Sequence, residues 1–336
     1  MIDYSMKYHI YRTHLSGYWP NNFLDLEDSV LNGLEGCIYH GLELDAKKWM
    51  PRSIILSNTH FKPENVSSKD WEKVDLILHA NSGYDNLLCS QFLQNYHGPV
   101  LIAPDLRAQA VAEYNLQAWL NGLGRIPFQK AWDKTRTFHR RLAQQERVLI
   151  IGFGHVGKKT YRLMEATGAF IDVYDPYVDA MTEKKFFSSL HLITNIIWSD
   201  YDSIIVCASL TPTSRKLMQS PACWKSLKSH VIMINATRGA LLPLDLAIPF
   251  AHQNPQAKIF IDVYGQEPFT HFSTLPENFF TTSHIAGVHD TLIDVTHRWH
   301  QQRIQEFTRF GGEQLLHNHG KENLRHQINI QYTQPE

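Results

Sequence analysis

The stretch "RVLIIGFGHVGKKTYRLMEATGAFIDVYDPY", Arg147 to Tyr177, decides the fold. Gly152, Gly154 and Gly157 stand in a G-x-G-x-x-G spacing after the apolar run Val148–Ile151, and Asp175 follows about 18 residues after Gly157. The physical demand behind this spacing is specific. A phosphate can rest on a helix N-terminus only if the preceding turn lets the backbone come close. Gly152 suits the tight turn, Gly154 leaves room for a pyrophosphate, and Gly157 lets helix and strand pack closely. Val156, Thr160, Leu163 and Met164 then form one helical face, and Gly168 is placed to end it. An acidic residue at 175 suits hydrogen bonds from an adenosine ribose and would repel a 2′-phosphate, so NAD is expected over NADP. His155 and Val156, between the glycines, count with them as cofactor-binding candidates.

The pattern continues on both sides. "SIILSN", "VDLILHA" (Val74–Ala80) and "GPVLIAP" (Gly98–Pro104) read as strands. Leu87, Leu88, Phe92 and Leu93 give "YDNLLCSQFLQNY" a helical spacing. Strands separated by helices imply βαβ units and parallel sheets covered by helices, an α/β protein. From Arg107 a long helix is expected to stop near Gly122 and Gly124. The polar, basic stretch "KAWDKTRTFHRRLAQQER" reads as the connection between two folded units. The segment from Asp290 carries Leu292, Val295, Trp299, Ile304 and Phe307 at near-helical intervals.

Composition narrows the function classes. The 336 residues favour two domains; 43% are hydrophobic and 19% charged, with a formal net charge of −1. No basic face is implied, so nucleic acid and anionic membrane are not expected partners. No apolar run is long enough to span a bilayer, and the N-terminus lacks a secretory leader pattern. Cys37, Cys89, Cys207 and Cys223 are scattered, which fits a reducing cytoplasm better than disulfides or zinc. His317 and His319 lack a Cys or carboxylate cluster and read as a solvated tail, so no metal site is expected.

Three polar residues follow later strands: Arg238 after "VIMIN", Glu267 after "KIFI", and His284 after "FFT". That is the side on which open parallel sheets gather ligands. Histidine suits proton transfer near neutral pH, a neighbouring carboxylate orients it, and a guanidinium grips a carboxylate with a planar fork.

In order, "GFGHVG", "YDPY", "SLTPTSRKLM", "INATRG", "IDVYGQEP" and "SHIAG" resemble the D-isomer-specific 2-hydroxyacid dehydrogenases. "ANSGYDNL", "APDLRAQAVAEYNLQAWL" and "ENLRHQINIQY" resemble that family's substrate loop, interdomain helix and closing segment, so the likeness covers about Ser53 to Tyr332. The resemblance implies two doubly wound parallel-sheet domains with a cleft between them. Residues 1–105 plus 290–336 would form a discontinuous, flavodoxin-like substrate domain, and 106–289 a Rossmann cofactor domain. It implies NAD, a small 2-oxo or 2-hydroxy acid substrate, and a homodimer. By resemblance, Arg238, Glu267 and His284 are catalytic, and backbone N–H groups of Ser82 and Gly83 join Arg238 in holding the substrate carboxylate. Asp262 would bind the nicotinamide carboxamide, with Ala286 and Gly287 nearby and Ala208 and Thr237 along the cofactor.

Some features stay open. Trp132 suits either packing or a place near substrate. The first 50 residues match the family poorly, and "GYWPNNFLDLEDSVLNGLEG" reads as a helical extension. Ser57 stands where several members carry arginine, which argues against a phosphorylated substrate. The short stretch after His284 leaves no room for a long regulatory module. A non-enzymatic alternative, an NAD(H)-sensing interaction protein, uses the same fold.

Overall fold

A computed structural model describes residues 7–179 and 183–332; the first six residues, read above for a leader, lie outside that range. The chain divides into two compact units, Met1–Arg107 with His289–Glu336, and Ala108–Val288.

Unit 1 is a five-stranded parallel sheet in the order β2-β1-β3-β4-β5. The strands are β1 (Tyr8–Arg12), β2 (Cys37–Leu42), β3 (Ser53–Ser57), β4 (Val74–His79) and β5 (Val100–Ile102). Alternation sends their side chains to two cores. Ile54, Leu56, Leu76 and Leu78 pack with Trp299, Ile304 and Phe307, while Ile55 and Ile77 pack with Trp71, Phe92 and Leu324. The apolar residues after Asp290 therefore complete the unit that the chain began with. They lie on a helical run from Leu292 to Asn318 that breaks at Gly311, where φ is 79°.

The N-terminal stretch differs from its reading as an extension. Phe23–Leu31 forms helix α1, the crossover between β1 and β2, so residues 8–42 are the sheet's first βαβ unit. "YHIYR" and "CIYHGL" are too polar to look like buried strands; Arg12 is nevertheless fully buried. Its Nε donates to Glu27 Oε2 at 3.0 Å, its Nη2 pairs with Glu27 Oε1, and Tyr39 donates to Glu27 Oε2 at 2.6 Å. The His297 and His300 rings close the cluster, 3.8 and 3.7 Å from Glu27. Arg12 Nη1, His297 Nε2 and His300 Nε2 are buried without a hydrogen-bond partner among the described residues. Burial first, then the positive charge of Arg12 and the neighbouring His297, holds the His300 ring well below its ordinary pKa.

Other details in unit 1 also depart from the reading. Helix covers only Ser90–Asn95 of the expected 84–96 stretch, with a single tight turn at Asp85–Leu87 before it. His319 is no solvated tail: it pairs with Glu306 on the long helix.

Unit 2 is a seven-stranded parallel sheet in the order β12-β11-β10-β9-β6-β7-β8. Its strands are β6 (Arg147–Ile151), β7 (Phe170–Tyr174), β8 (His191–Ile193), β9 (Ser203–Val206), β10 (Ile232–Asn235), β11 (Lys258–Ile261) and β12 (Phe279–Thr281). The order reverses between β9 and β6, which opens a crevice at their C-terminal ends.

The polar stretch from Lys130 to Arg147 does not connect the units. It lies inside unit 2, because the helix before it, Ala108–Leu123, is already part of that core. Trp119 on this helix is fully buried and donates to Ser203 Oγ at 3.0 Å, and Asn115 donates to Thr160 at 3.2 Å. The segment after the helix exposes Ile126, Phe128 and Trp132, Phe128 at 94%.

Candidate functional site

The glycine turn sits where the sheet order predicts a ligand. Gly152 follows β6 with φ of 94°, a conformation that side chains other than glycine rarely adopt. A Cβ there would lie 2.6 Å from the Ala208 backbone after β9, so the two loops flanking the crevice touch. A Cβ at Gly157 would meet the Gly152 carbonyl oxygen at 2.0 Å, whereas one at Gly154 would meet nothing within 4 Å. Gly154 is the open point of the turn and caps the helix His155–Glu165. These residues fit a pyrophosphate, since the first turn of a helix turns backbone N–H groups and the positive end of its dipole toward an anion.

Asp175, after β7, accepts from the N–H of Phe153 at 2.7 Å and from that of Tyr177 at 2.9 Å. Burial raises its pKa, and the two N–H groups offset part of that. Each carboxylate oxygen keeps a further lone-pair direction for a ribose hydroxyl. Cys207 beside Thr160 is buried, which pushes its thiol up to about 12 and leaves it inert.

Arg238, Glu267 and His284 leave β10, β11 and β12, which are neighbours in the sheet. Asn235, fully buried, shapes the first loop: its carbonyl accepts from the Thr237 N–H at 3.1 Å and its amide donates to the Arg238 oxygen at 2.8 Å. Arg238 Nη1 donates to the Thr237 oxygen at 2.8 Å. A Cβ at Gly239 would lie 2.0 Å from the Tyr264 carbonyl carbon, so the Arg238 loop runs directly against the loop that carries Glu267.

His284 Nδ1 lies 2.7 Å from Glu267 Oε2. The other carboxylate oxygen accepts from the Tyr264 N–H at 2.9 Å, which fixes the carboxylate beside the ring. The His284 ring is 58% exposed, so its outer face is open to a substrate. Its backbone is left-handed, with φ of 55°. That costs a residue other than glycine roughly 1–2 kcal/mol, so the surroundings must hold it.

Asp262 supplies much of that hold. It is fully buried. Its Oδ1 accepts from the Ile285 N–H at 2.8 Å and the Thr282 hydroxyl at 2.6 Å, and its Oδ2 from the Ala286 N–H at 2.8 Å. Beside the carboxamide contact that the resemblance implies for Asp262, the geometry gives it a role toward the loop itself. Ala286 is buried, Gly287 half-buried beside it, and Ala208 and Thr237 half-buried after β9 and β10. Sequence reading missed Asn235, Tyr114, Tyr264 and Thr282, whose roles depend on contacts rather than on motif position.

Ser82 and Gly83 belong to unit 1, after β4. His79, fully buried, holds that loop: its Nε2 lies 2.9 Å from the Gly83 oxygen and its Nδ1 3.0 Å from Ser57 Oγ. Ser57 therefore points into the fold, and its identity is no argument for or against a phosphate. Among the described residues, no group of three or more His, Cys, Asp or Glu could hold a metal ion, and no helix is long and apolar enough to cross a membrane.

Residues 124–286 match the family model described as the D-isomer specific 2-hydroxyacid dehydrogenase, NAD binding domain. The chain is 32% identical over 192 residues to an erythronate-4-phosphate dehydrogenase of Idiomarina loihiensis, covering 55% of this chain and 45% of that protein. It is 26% identical over 253 residues to one of Shewanella baltica, covering 74% of this chain and 62% of the other. A D-3-phosphoglycerate dehydrogenase of Methanocaldococcus jannaschii is 25% identical over 204 residues. The match thus spans about half the length of these curated relatives. Among solved structures, the D-lactate dehydrogenase of Aquifex aeolicus, complexed with NAD and lactic acid, shares the fold. Its TM-score is 0.71 at 14% identity, over 94% of this chain and 98% of that one.

Proposed function

We propose that the chain is a member of the D-isomer-specific 2-hydroxyacid dehydrogenase family, whose NAD binding domain residues 124–286 match, and that it reduces a small 2-oxo acid, or oxidises the matching D-2-hydroxy acid, with NAD. The observation that carries the reading is the His284–Glu267 pair at 2.7 Å, on a strand end beside that of Arg238.

A nicotinamide held there would supply the hydride that the carbonyl carbon receives. His284 gives a proton to the carbonyl oxygen and takes it back in the reverse direction. Glu267, accepting from His284 Nδ1, fixes the ring's orientation and directs the other nitrogen outward. Arg238 grips the substrate carboxylate and polarises the carbonyl. In unit 1, the Ser82–Gly83 loop is a second carboxylate-binding candidate. Along a bound cofactor, Gly152, Gly154, His155, Val156 and Gly157 would hold the pyrophosphate and Asp175 the ribose, while Ala208, Thr237, Asp262, Ala286 and Gly287 would line the remainder. A cytoplasmic homodimer belongs to the same proposal, supported by four free cysteines and by the exposed Ile126, Phe128 and Trp132.

The similarity to erythronate-4-phosphate and D-3-phosphoglycerate dehydrogenases makes phosphorylated acids part of the first substrate panel. NADH oxidation is measured with glyoxylate, hydroxypyruvate, pyruvate, branched 2-oxo acids and phosphorylated analogues, then repeated with NADPH. His284→Ala is expected to lower kcat by about 10²–10⁴-fold while NADH still binds. Wild-type turnover in that variant across the panel would refute the mechanism.

A further inference from the structure

We propose that Thr282 and Tyr114 are positioning residues for His284, acting through the buried carboxylate of Asp262. The direction of the hydrogen bonds carries the argument. A carboxylate only accepts, so the Thr282 hydroxyl gives its single proton to Asp262 Oδ1, 2.6 Å away. Thr282 Oγ1 is then left as an acceptor, and the Tyr114 phenol, 2.8 Å away, must donate to it. The chain therefore runs one way, from Tyr114 to Thr282 to Asp262. Burial raises the Tyr114 pKa, which keeps the phenol protonated and donating.

Residue 282 is clamped a second time, because the Tyr264 hydroxyl donates to its carbonyl oxygen at 2.7 Å. Tyr264 also presents the N–H that holds Glu267, so ring and carboxylate are registered through one residue. Beyond His284, Asp262 takes the N–H groups of Ile285 and Ala286, and its own carbonyl takes that of His284 at 2.8 Å. The left-handed His284 is thus fixed on both sides, and Thr282 joins the two halves of the clamp. Without its hydroxyl, Asp262 loses one donor and Tyr114 its acceptor, and the loop is free to relax away from Glu267.

The functional half of this inference rests on the proposed dehydrogenase reading. The test uses Thr282→Val, Thr282→Ser and Tyr114→Phe in the full chain. Three quantities are read: NADH oxidation with the best 2-oxo acid, the NADH Kd by fluorescence, and the His284 ring chemical shifts by NMR, assigned with His284→Gln. Thr282→Val is expected to lower kcat about tenfold or more, leave the NADH Kd within about twofold, and displace the His284 ring resonances as Glu267 loses its registration. Thr282→Ser restores both, and Tyr114→Phe gives a smaller displacement in the same direction. Added to His284→Ala, Thr282→Val costs no further turnover. An unchanged kcat and unchanged ring resonances in Thr282→Val, or a full extra loss on top of His284→Ala, overturns the proposal. If Thr282→Val does not fold, Tyr114→Phe decides by the same resonances. If wild-type protein reduces no 2-oxo acid, the dehydrogenase reading falls alone. The ring resonances still decide the positioning role: displaced, it stands; undisplaced, it is lost.

Discussion

Among the described residues two carboxylates are fully buried, and they are answered differently. Asp262 in unit 2 meets two backbone N–H groups and a hydroxyl, all neutral, and all from residues 282–286. Glu27 in unit 1 meets a guanidinium, a phenol and two imidazoles drawn from both ends of the chain, and three nitrogens of that cluster have no hydrogen-bond partner among the described residues. Neutral donors from one loop fix the loop's shape at little desolvation cost. Charges from several elements tie those elements together, but the attraction must first offset the removal of two ions from water. The first arrangement positions a side chain, and the second braces a fold.

If this contrast holds, removing Glu27 has the largest effect. Glu27→Ala leaves Arg12 buried without its counter-charge and should cost about 3–5 kcal/mol in urea unfolding. A loss below about 1 kcal/mol would show that the brace is not ionic. Asp262→Asn keeps the volume but turns an acceptor into a donor against one N–H. It should cost about 1–3 kcal/mol and lower kcat as well. Intact turnover in Asp262→Asn would erase the distinction between the two sites.

The smallest effect at neutral pH belongs to His300→Leu, which removes an unpartnered nitrogen and should change stability by less than about 1.5 kcal/mol. Its signature lies in acid. The His300 ring stays neutral in the folded chain well below its ordinary value of 6.5, held there by burial and then by Arg12. The unfolded chain takes up that proton near 6.5, so the ring's contribution is present above that value and drains away as pH falls below it. His297, lowered for the same first reason, adds to the trend. Urea midpoints measured between neutral pH and pH 5 should fall less steeply in His300→Leu than in wild type; equal slopes would remove this ring from the acid response.

Sequence legibility followed contact distance. The glycine turn was readable because its demands are local: a positive φ at Gly152 and a close approach at Gly157 each leave a glycine behind. Arg238, Glu267 and His284 were readable because each follows an apolar strand. Thr282 was not, since an exposed-looking threonine beside a motif gives no sign that Tyr114, 168 residues earlier, donates to it. β1 and β2 were hidden for a related reason. Polar side chains on Tyr8–Arg12 are buried, and Tyr39 on Cys37–Leu42 is half-buried, against partners on distant elements, which breaks the apolar run that marks a strand. The stretch after Leu123 misled because basic composition marks exposure, and exposure alone does not tell a linker from an arm on a finished unit.

Unit 1 is built from two segments separated by the whole of unit 2. Trp299, Ile304, Phe307 and Leu324 fill its cores, and Asn323 bridges to Leu101 on β5. During synthesis, then, the first hundred residues leave the ribosome with apolar faces that nothing yet covers. Residues 108–288 can close into a sheet as soon as they emerge, so the part of the chain made first is the part finished last. In that interval the early strands have an open flank, and chaperone capture would be expected to fall on the N-terminal segment rather than on the nucleotide-binding one.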